Sequence, residues 1–240
     1  MEFIQKNFNH FAVENAVGFF EDGIVLSSGI KSHWYVNWRK ASNDPALLEI
    51  LVDYVHNFVY DLSLNPDCFY GVPEGATKLG LLSQFKLAYN SSEYGIGTHC
   101  LPMGRAKPKI YGEPNDRYFI GEPKGKTIIL DDVTTTGRSL EDEIKKIFEL
   151  NNQKSNQKKR VKIIQAISLS DRMEANEFGF GIKRMSVKDR LAMMDIPFCS
   201  MSNAKELLPL AIAKYKPKDE IVKAIEKEYE KHGITQIKLR

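Results

Sequence analysis

The chain has 240 residues, 42% of them hydrophobic and 27% charged, enough apolar material for one substantial α/β domain with a small accessory element. Its formal net charge of +3 is too slight for a general attraction to nucleic acid or to an anionic membrane. No run of about 18 apolar residues occurs, and the opening Met-Glu-Phe-Ile-Gln-Lys lacks the basic and apolar regions of a signal peptide. The expectation is a soluble, cytoplasmic protein. Cys68, Cys100 and Cys199 are odd in number, widely spaced and in no Cys-x-x-Cys arrangement, so neither a disulfide framework nor a zinc site is indicated and reduced, buried thiols are expected. His10, His33, His56, His99 and His232 show no ligand spacing.

From Glu2 to Phe20 apolar residues recur at three- and four-residue steps, predicting an amphipathic helix. Ile24–Leu26 and His33–Trp38 read as two short strands joined by 27–32, a hairpin that suits a hood over a sheet edge. Trp34, Tyr35 and Trp38 fit either hairpin packing or stacking on a base. Pro45–Leu62 is helical, with Asp44 as N-cap and Pro45 in the first turn. A strand over Asp67–Tyr70 runs into the loop Gly71-Val-Pro-Glu-Gly-Ala-Thr77, and a helix over Lys78–Tyr89 follows. Backbone N–H groups of Gly75, Ala76 and Thr77 suit an oxyanion; the same residues also make an ordinary strand-to-helix turn.

Gly97–Met103 is read as a strand. Beyond it, 104–117 is a basic loop punctuated by Pro and Gly, of a length that fits an active-site lid or a solvated excursion. Asn151–Arg160 is a lysine-rich connection without interleaved aromatics, which favours a solvated insertion over an RNA contact. Val161–Leu169 is a strongly apolar strand. Ile182–Val187 and Pro197–Ser200 are late strands, and Ala204–Tyr215 and Asp219–His232 are helices, the second stopped by Gly233.

The most informative stretch is Lys126–Leu140. Thr127–Leu130 has the continuous apolar, β-branched character of a strand covered on both faces of a parallel sheet. Asp131 and Asp132 then fall at its carboxyl end, the ligand-binding edge of open α/β sheets. Thr134–Ser139 has the makings of a phosphate cradle: turn N–H groups, hydroxyls, Gly137 where positive φ is needed, and a helix N-terminus behind. Paired acids suit a sugar diol or a metal ion beside that phosphate. An ordinary turn capped by Asp and Thr would use the same residue types.

Leu130–Ser139 resembles the phosphoribosyl-pyrophosphate-binding motif of the type I phosphoribosyltransferases. By that resemblance Asp131 and Asp132 face the ribose hydroxyls, while Val133, Thr134, Thr135, Thr136, Gly137, Arg138 and Ser139 wrap the 5′-phosphate. Leu26–Asn37 is similar to the N-terminal signature of orotate phosphoribosyltransferases, whose hood carries a lysine near a Ser-Gly pair. Ser27 stands at that position here, and Lys31 is the nearby substitute. The 71–77 loop lies where the family binds pyrophosphate, implying roles for Glu74, Gly75 and Ala76. Gly75 replaces the family's lysine there, with Lys78 close by. Aligned on Gly112, Arg105 and Lys109 match an arginine and a lysine of the family's lid, Ala106 and Tyr111 replace a lysine and a histidine, and Lys107 compensates. Ser170–Glu174 resembles a Leu-Asp-Arg segment, which makes Arg172 the orotate-carboxylate residue; a surface pair with Asp171 or Glu174 is the alternative.

The resemblance implies a type I phosphoribosyltransferase fold, a parallel sheet flanked by helices with an N-terminal hood. One domain would cover 1–240, with 1–42 largely helix and hood, 43–200 core and 201–240 C-terminal helices. The implied reaction joins orotate and phosphoribosyl pyrophosphate to give orotidine 5′-monophosphate and pyrophosphate, with Mg²⁺, in a homodimer whose lid closes over a neighbouring subunit's pyrophosphate. Two alternatives stand beside it: transfer to another base, and a non-catalytic regulator that senses phosphoribosyl pyrophosphate.

Overall fold

The computed structural model describes residues 2–26, 29–111, 117–157, 160–175 and 184–239. In chain order the elements are α1 (Gln5–Asn15), β1 (Val17–Val25), β2 (Lys31–Val36), α2 (Pro45–Asp61), β3 (Cys68–Gly71) and α3 (Thr77–Tyr89). Then come β4 (Met103–Gly104), β5 (Phe119–Ile120), β6 (Lys126–Thr134), α4 (Arg138–Gln153), β7 (Lys162–Asp171), α5 (Val187–Ala192), β8 (Phe198–Ser200), α6 (Ala204–Tyr215) and α7 (Asp219–His232). The central sheet has the order β3-β6-β7-β8, with β3 and β6 parallel. Two further pairs, β1-β2 and β4-β5, are antiparallel.

By packing, the chain forms two compact units, one of residues 1–3, 42–132 and 138–167, the other of 4–41, 133–137 and 168–240. Strands β6 and β7 run from one into the other. In the first unit, every residue of β3 and Thr127–Asp131 of β6 are buried, as strands covered on both faces must be. Helix α2 starts as its sequence requires: Asp44 accepts hydrogen bonds from the Ala46 and Leu47 N–H groups at 2.9 and 3.0 Å, with Pro45 in the first turn. It buries Leu48, Leu51, Val52, Val55 and Val59, one apolar stripe at helical spacing.

The second unit is built on the hood pair. Trp34 and Trp38 are 0% and 1% exposed. Trp38 stacks on Phe8 of α1 with centroids 5.7 Å apart and donates from Nε1 to Ser170 Oγ at 3.1 Å. Both tryptophans are therefore core residues, and neither offers a face to a base; Tyr35 is half-buried. Helix α6 is capped by Asn203, whose side chain accepts from the Lys205 and Glu206 N–H groups.

Three expectations need correction. The predicted helix over 2–20 stops at Asn15, and its tail becomes β1, paired through Val17–Val36, Gly18–Tyr35 and Phe19–Trp34. Helical spacing continued past the turn by accident, and cross-strand pairing with β2 overrides it. The strand expected over Gly97–Met103 shrinks to Met103–Gly104. Of the strand expected over Ile182–Val187, 182 and 183 lie outside the described residues, and Val187 opens α5, where Ser186 and Asp189 form a reciprocal capping box. Ser27, which stands at the position of the hood lysine, and Gly112, on which the arm was aligned, also lie outside them.

Candidate active site

In the first unit, β3 pairs with β6 only as far as Gly71–Leu130, and the Val72 N–H donates to Leu130 O at 2.8 Å. Strand β6 continues to Thr134, so Asp131 and Asp132 occupy the part of it that β3 no longer covers. Asp131 is 6% exposed, and its Oδ1 accepts the Asp132 N–H at 3.1 Å. Burial first, then the neighbouring Asp132 charge, pushes the Asp131 carboxyl well above the usual carboxylate range.

The 71–77 loop closes on this pair. A Cβ placed on Gly75 would run into the Asp132 carboxylate, so only glycine lets the loop backbone approach the acid so closely. Glu74 is exposed and Gly75 half-buried; the Pro73–Glu74 peptide is cis. Ala76 is fully buried and its N–H donates to Val72 O at 3.0 Å, while the Thr77 N–H donates to Glu74 O at 3.3 Å. The oxyanion role expected of those two N–H groups is therefore corrected: the turn itself uses them. Lys78 donates to Asn43 Oδ1 at 2.6 Å and to Ser42 O at 3.3 Å, which ties it to the entrance of α2.

The expected lid is a paired arm at its base rather than an unstructured loop. The Arg105 N–H donates to Tyr118 O and the Lys109 N–H to Arg117 O, each at 2.8 Å, extending the β4-β5 ladder outward. Lys107 and Lys109 are exposed and Arg105 is half-buried. Lys146 reaches from α4 to Arg105 O at 3.3 Å and also pairs with Glu143, which accepts the Tyr70 hydroxyl at 2.6 Å. Sequence patterns gave no sign of this Tyr70–Glu143–Lys146 support for the arm, because its members come from β3 and α4.

In the second unit, the cradle residues 133–137 are fixed from several sides. The Thr134 N–H donates to Ser168 Oγ at 3.2 Å, and Thr134 O accepts the Arg172 N–H at 2.9 Å. Arg190 of α5 donates to Thr136 O at 2.9 Å. Gly137 has φ +77, and a Cβ there would meet Val187 Cγ1 at 2.9 Å, so both conformation and space require glycine. Thr134 and Thr136 are buried, Val133 and Thr135 half-buried, and Arg138 and Ser139 exposed. Of the hydroxyls suggested as donors, those of Thr135 and Ser139 are thus the more accessible. Helix α4 starts at Arg138, leaving its first N–H groups without intrahelical acceptors, as an anion site needs. Arg190 was missed because nothing local to α5 marks it.

Arg172 is 1% exposed. Its guanidinium donates to Glu174 Oε1 at 2.7 and 3.2 Å, to Ser32 Oγ at 2.9 Å and to Trp34 O at 3.0 Å, with its carbon 4.3 Å from the Trp34 ring centre. The pairing with Glu174 that the sequence offered is present, but buried rather than on the surface, and the residue is a brace for β2 rather than an open carboxylate fork. Neighbouring Asp171 has its carboxyl pushed up to about 6, by burial against the opposing hydrogen bond from the Met173 N–H. Lys31 remains exposed on β2. It lines a cavity of about 690 Å³ together with His33, Lys227, Glu228, Lys231 and His232.

No protein-family model matches the chain. It is 30% identical over 131 residues to an orotate phosphoribosyltransferase of Methanocaldococcus jannaschii, a match spanning 52% of this chain and 64% of that protein. The chain spans between 56% and 64% of the length of the first curated relatives it matches. Among solved structures it resembles Leishmania donovani UMP synthase, with a TM-score of 0.66 at 17% identity over 94% of this chain and 42% of that one. It also resembles the orotate phosphoribosyltransferase of Francisella tularensis, with a TM-score of 0.62 at 20% identity over 95% and 99% of the two chains. The fold is that of the type I phosphoribosyltransferases, and the sequence is similar to their orotate-specific members.

Proposed function

We propose that the protein is an orotate phosphoribosyltransferase, transferring the phosphoribosyl group of phosphoribosyl pyrophosphate to orotate with release of pyrophosphate, and that 1–240 act as one catalytic domain. The observation that carries this reading is the meeting of two segments distant in sequence: the Gly75 backbone lies against the Asp132 carboxylate, beside buried Asp131. A diol-binding acid pair and a diphosphate-binding loop have to share one ligand, and this contact supports their doing so. The named relatives add weight to orotate as acceptor.

Breaking the bond between ribose C1 and the pyrophosphate oxygen builds positive charge on the sugar and negative charge on the leaving group. In the proposed reaction Asp131 and Asp132 accept hydrogen bonds from the ribose hydroxyls and set negative charge beside the developing cation. Arg105, Lys107 and Lys109 supply the opposite charge to the pyrophosphate. Val133–Ser139 hold the 5′-phosphate, with Gly137 and the start of α4 providing the backbone approach. Closure of the arm over the site excludes the water that would intercept the ribosyl cation. Lys31 is the cation we assign to the orotate carboxylate, since Arg172 is engaged elsewhere.

Among the described residues no cluster of three or more His, Cys, Asp or Glu is built to hold a metal ion. The adjacent carboxylates of Asp131 and Asp132 nevertheless offer hard oxygens of the kind that suits Mg²⁺ completed by diphosphate oxygens and water. When bound, the ion neutralises charge on the diphosphate. The working unit in this reading is a homodimer, for which the exposed aromatic cluster Phe85, Tyr89 and Tyr94 is a fitting contact surface. Among the described residues no helix is long and apolar enough to cross a membrane.

The test is the double variant Asp131→Asn with Asp132→Asn, which is expected to abolish pyrophosphate release while keeping the wild-type circular dichroism. Wild-type rates in that variant contradict the assignment. One observation favours a second reading, transfer to a different base: every nitrogen of the Arg172 guanidinium is hydrogen-bonded inside the protein. Pyrophosphate release that responds to another nucleobase and not to orotate would select it.

A further inference from the structure

Cys68 and Cys100 are far apart in sequence and adjacent in the first unit, both free, with sulfurs 3.7 Å apart. A disulfide needs about 2.05 Å, so oxidation has to bring the two sulfurs closer together. Cys68 is fully buried in β3. Cys100 is half-buried and lines a cavity of about 670 Å³ with His56, Asp67, His99 and Lys124, so one sulfur is open to a small molecule and the other is screened behind it. Their backbones are held in register by Gln84, which accepts the Phe69 N–H at 2.7 Å and donates to Cys100 O at 2.9 Å.

We propose that Cys68 and Cys100 form a redox-responsive pair, oxidised by a low-molecular-weight disulfide that enters this cavity. The new bond would tie the strand feeding the 71–77 loop to the segment feeding the cationic arm. The two roles are unequal. A hydrogen bond from the Cys68 thiol, aided by the Lys124 charge and opposed by burial, lowers Cys100 to about 7, while the same pairing and burial push Cys68 up. Cys100 is accordingly the attacking thiolate and Cys68 the resolving thiol.

In the first step the Cys100 thiolate attacks one sulfur of the small disulfide, forming a mixed disulfide and expelling one small thiolate. Cys68 then gives up its proton and its sulfur attacks Cys100 Sγ, expelling the second small thiolate. The protons of the two protein thiols end on the two small thiols, so the protein is oxidised by two electrons and the small disulfide reduced by two. Effects on turnover rest on the proposed transferase activity; the bond itself does not.

The experiment treats the reduced full-length protein with oxidised glutathione, then counts alkylatable thiols and maps peptides by mass spectrometry. The expected result is a fall from three alkylatable thiols to one, a cross-linked Cys68–Cys100 peptide, Cys199 still alkylatable, and reversal by dithiothreitol. Cys68→Ser should stop at glutathione attached to Cys100, and Cys100→Ser should leave Cys68 unreacted. Three thiols surviving in the wild type, or glutathione persisting on Cys100 with Cys68 free, would overturn the pair. Orotate turnover of the oxidised protein should fall several-fold and return on reduction. Unchanged turnover overturns the regulatory role, whereas disulfide formation in a protein that never turns over orotate sinks the transferase reading and leaves the pair standing.

Discussion

Asp131 stands where ionisation is costly, and that has a measurable sign. Its folded-state pKa is raised by burial and by Asp132, so the protonated carboxyl contributes stability that is fully present below the unfolded pKa, about 3.9. That stability is lost as pH rises through the higher folded value. Asp131→Asn removes the penalty and keeps an oxygen for the Asp132 N–H. We expect its melting temperature to match the wild type near pH 3 and exceed it near pH 8, with turnover lost. Equal melting temperatures at both pH values would show that the carboxyl ionises freely. Gly75→Ala is the complementary probe. The added methyl displaces the Asp132 carboxylate, and misplacement of a catalytic group by about 1 Å costs on the order of 100-fold in rate. The expected outcome is that loss in kcat with little change in melting temperature; wild-type kcat would mean that the loop and the acid do not act together.

The hood strand β2 depends on a buried cation. Arg172→Ala removes the bonds to Glu174, Ser32 and Trp34 and leaves the Glu174 carboxylate unpaired in the interior. Breaking such a pair costs about 3–5 kcal/mol, which denaturant unfolding will read directly. A raised KM for orotate at unchanged stability would instead restore Arg172 to the substrate. The difference between sequence and structure lies at this scale. Lys126–Ser139 was legible because strand, acids, turn and helix start are contiguous, and α2 was legible because its cap and its apolar spacing agree; α6 and α7 run over the residues expected for them. The burial of Arg172 was not legible because its partners Ser32 and Trp34 lie far away in the chain, and no local pattern shows that a guanidinium is already spoken for. The contact of Gly75 with Asp132, the clamp of Arg190 on Thr136 and the pairing of Cys68 with Cys100 are likewise tertiary facts. The α1–β1 boundary failed for the reverse reason, since the local period persisted and β2 decided the matter.

For the whole molecule, we propose a homodimer. Tyr89, 63% exposed, stacks at 6.0 Å on Phe85, 49% exposed, and meets Tyr94, 53% exposed, edge-on at 5.5 Å. Exposed apolar clusters of this kind mark association sites. Tyr89→Asp should turn a dimer into a monomer in analytical ultracentrifugation, and a variant that sediments as the wild type would place the contact elsewhere. The central claim concerns transfer itself, and the most direct measurement is orotate absorbance during incubation with phosphoribosyl pyrophosphate and Mg²⁺. We expect consumption of orotate that requires phosphoribosyl pyrophosphate and releases pyrophosphate in equal amount. Persistent binding of phosphoribosyl pyrophosphate with no loss of orotate, across a range of pH and metal concentration, would contradict it.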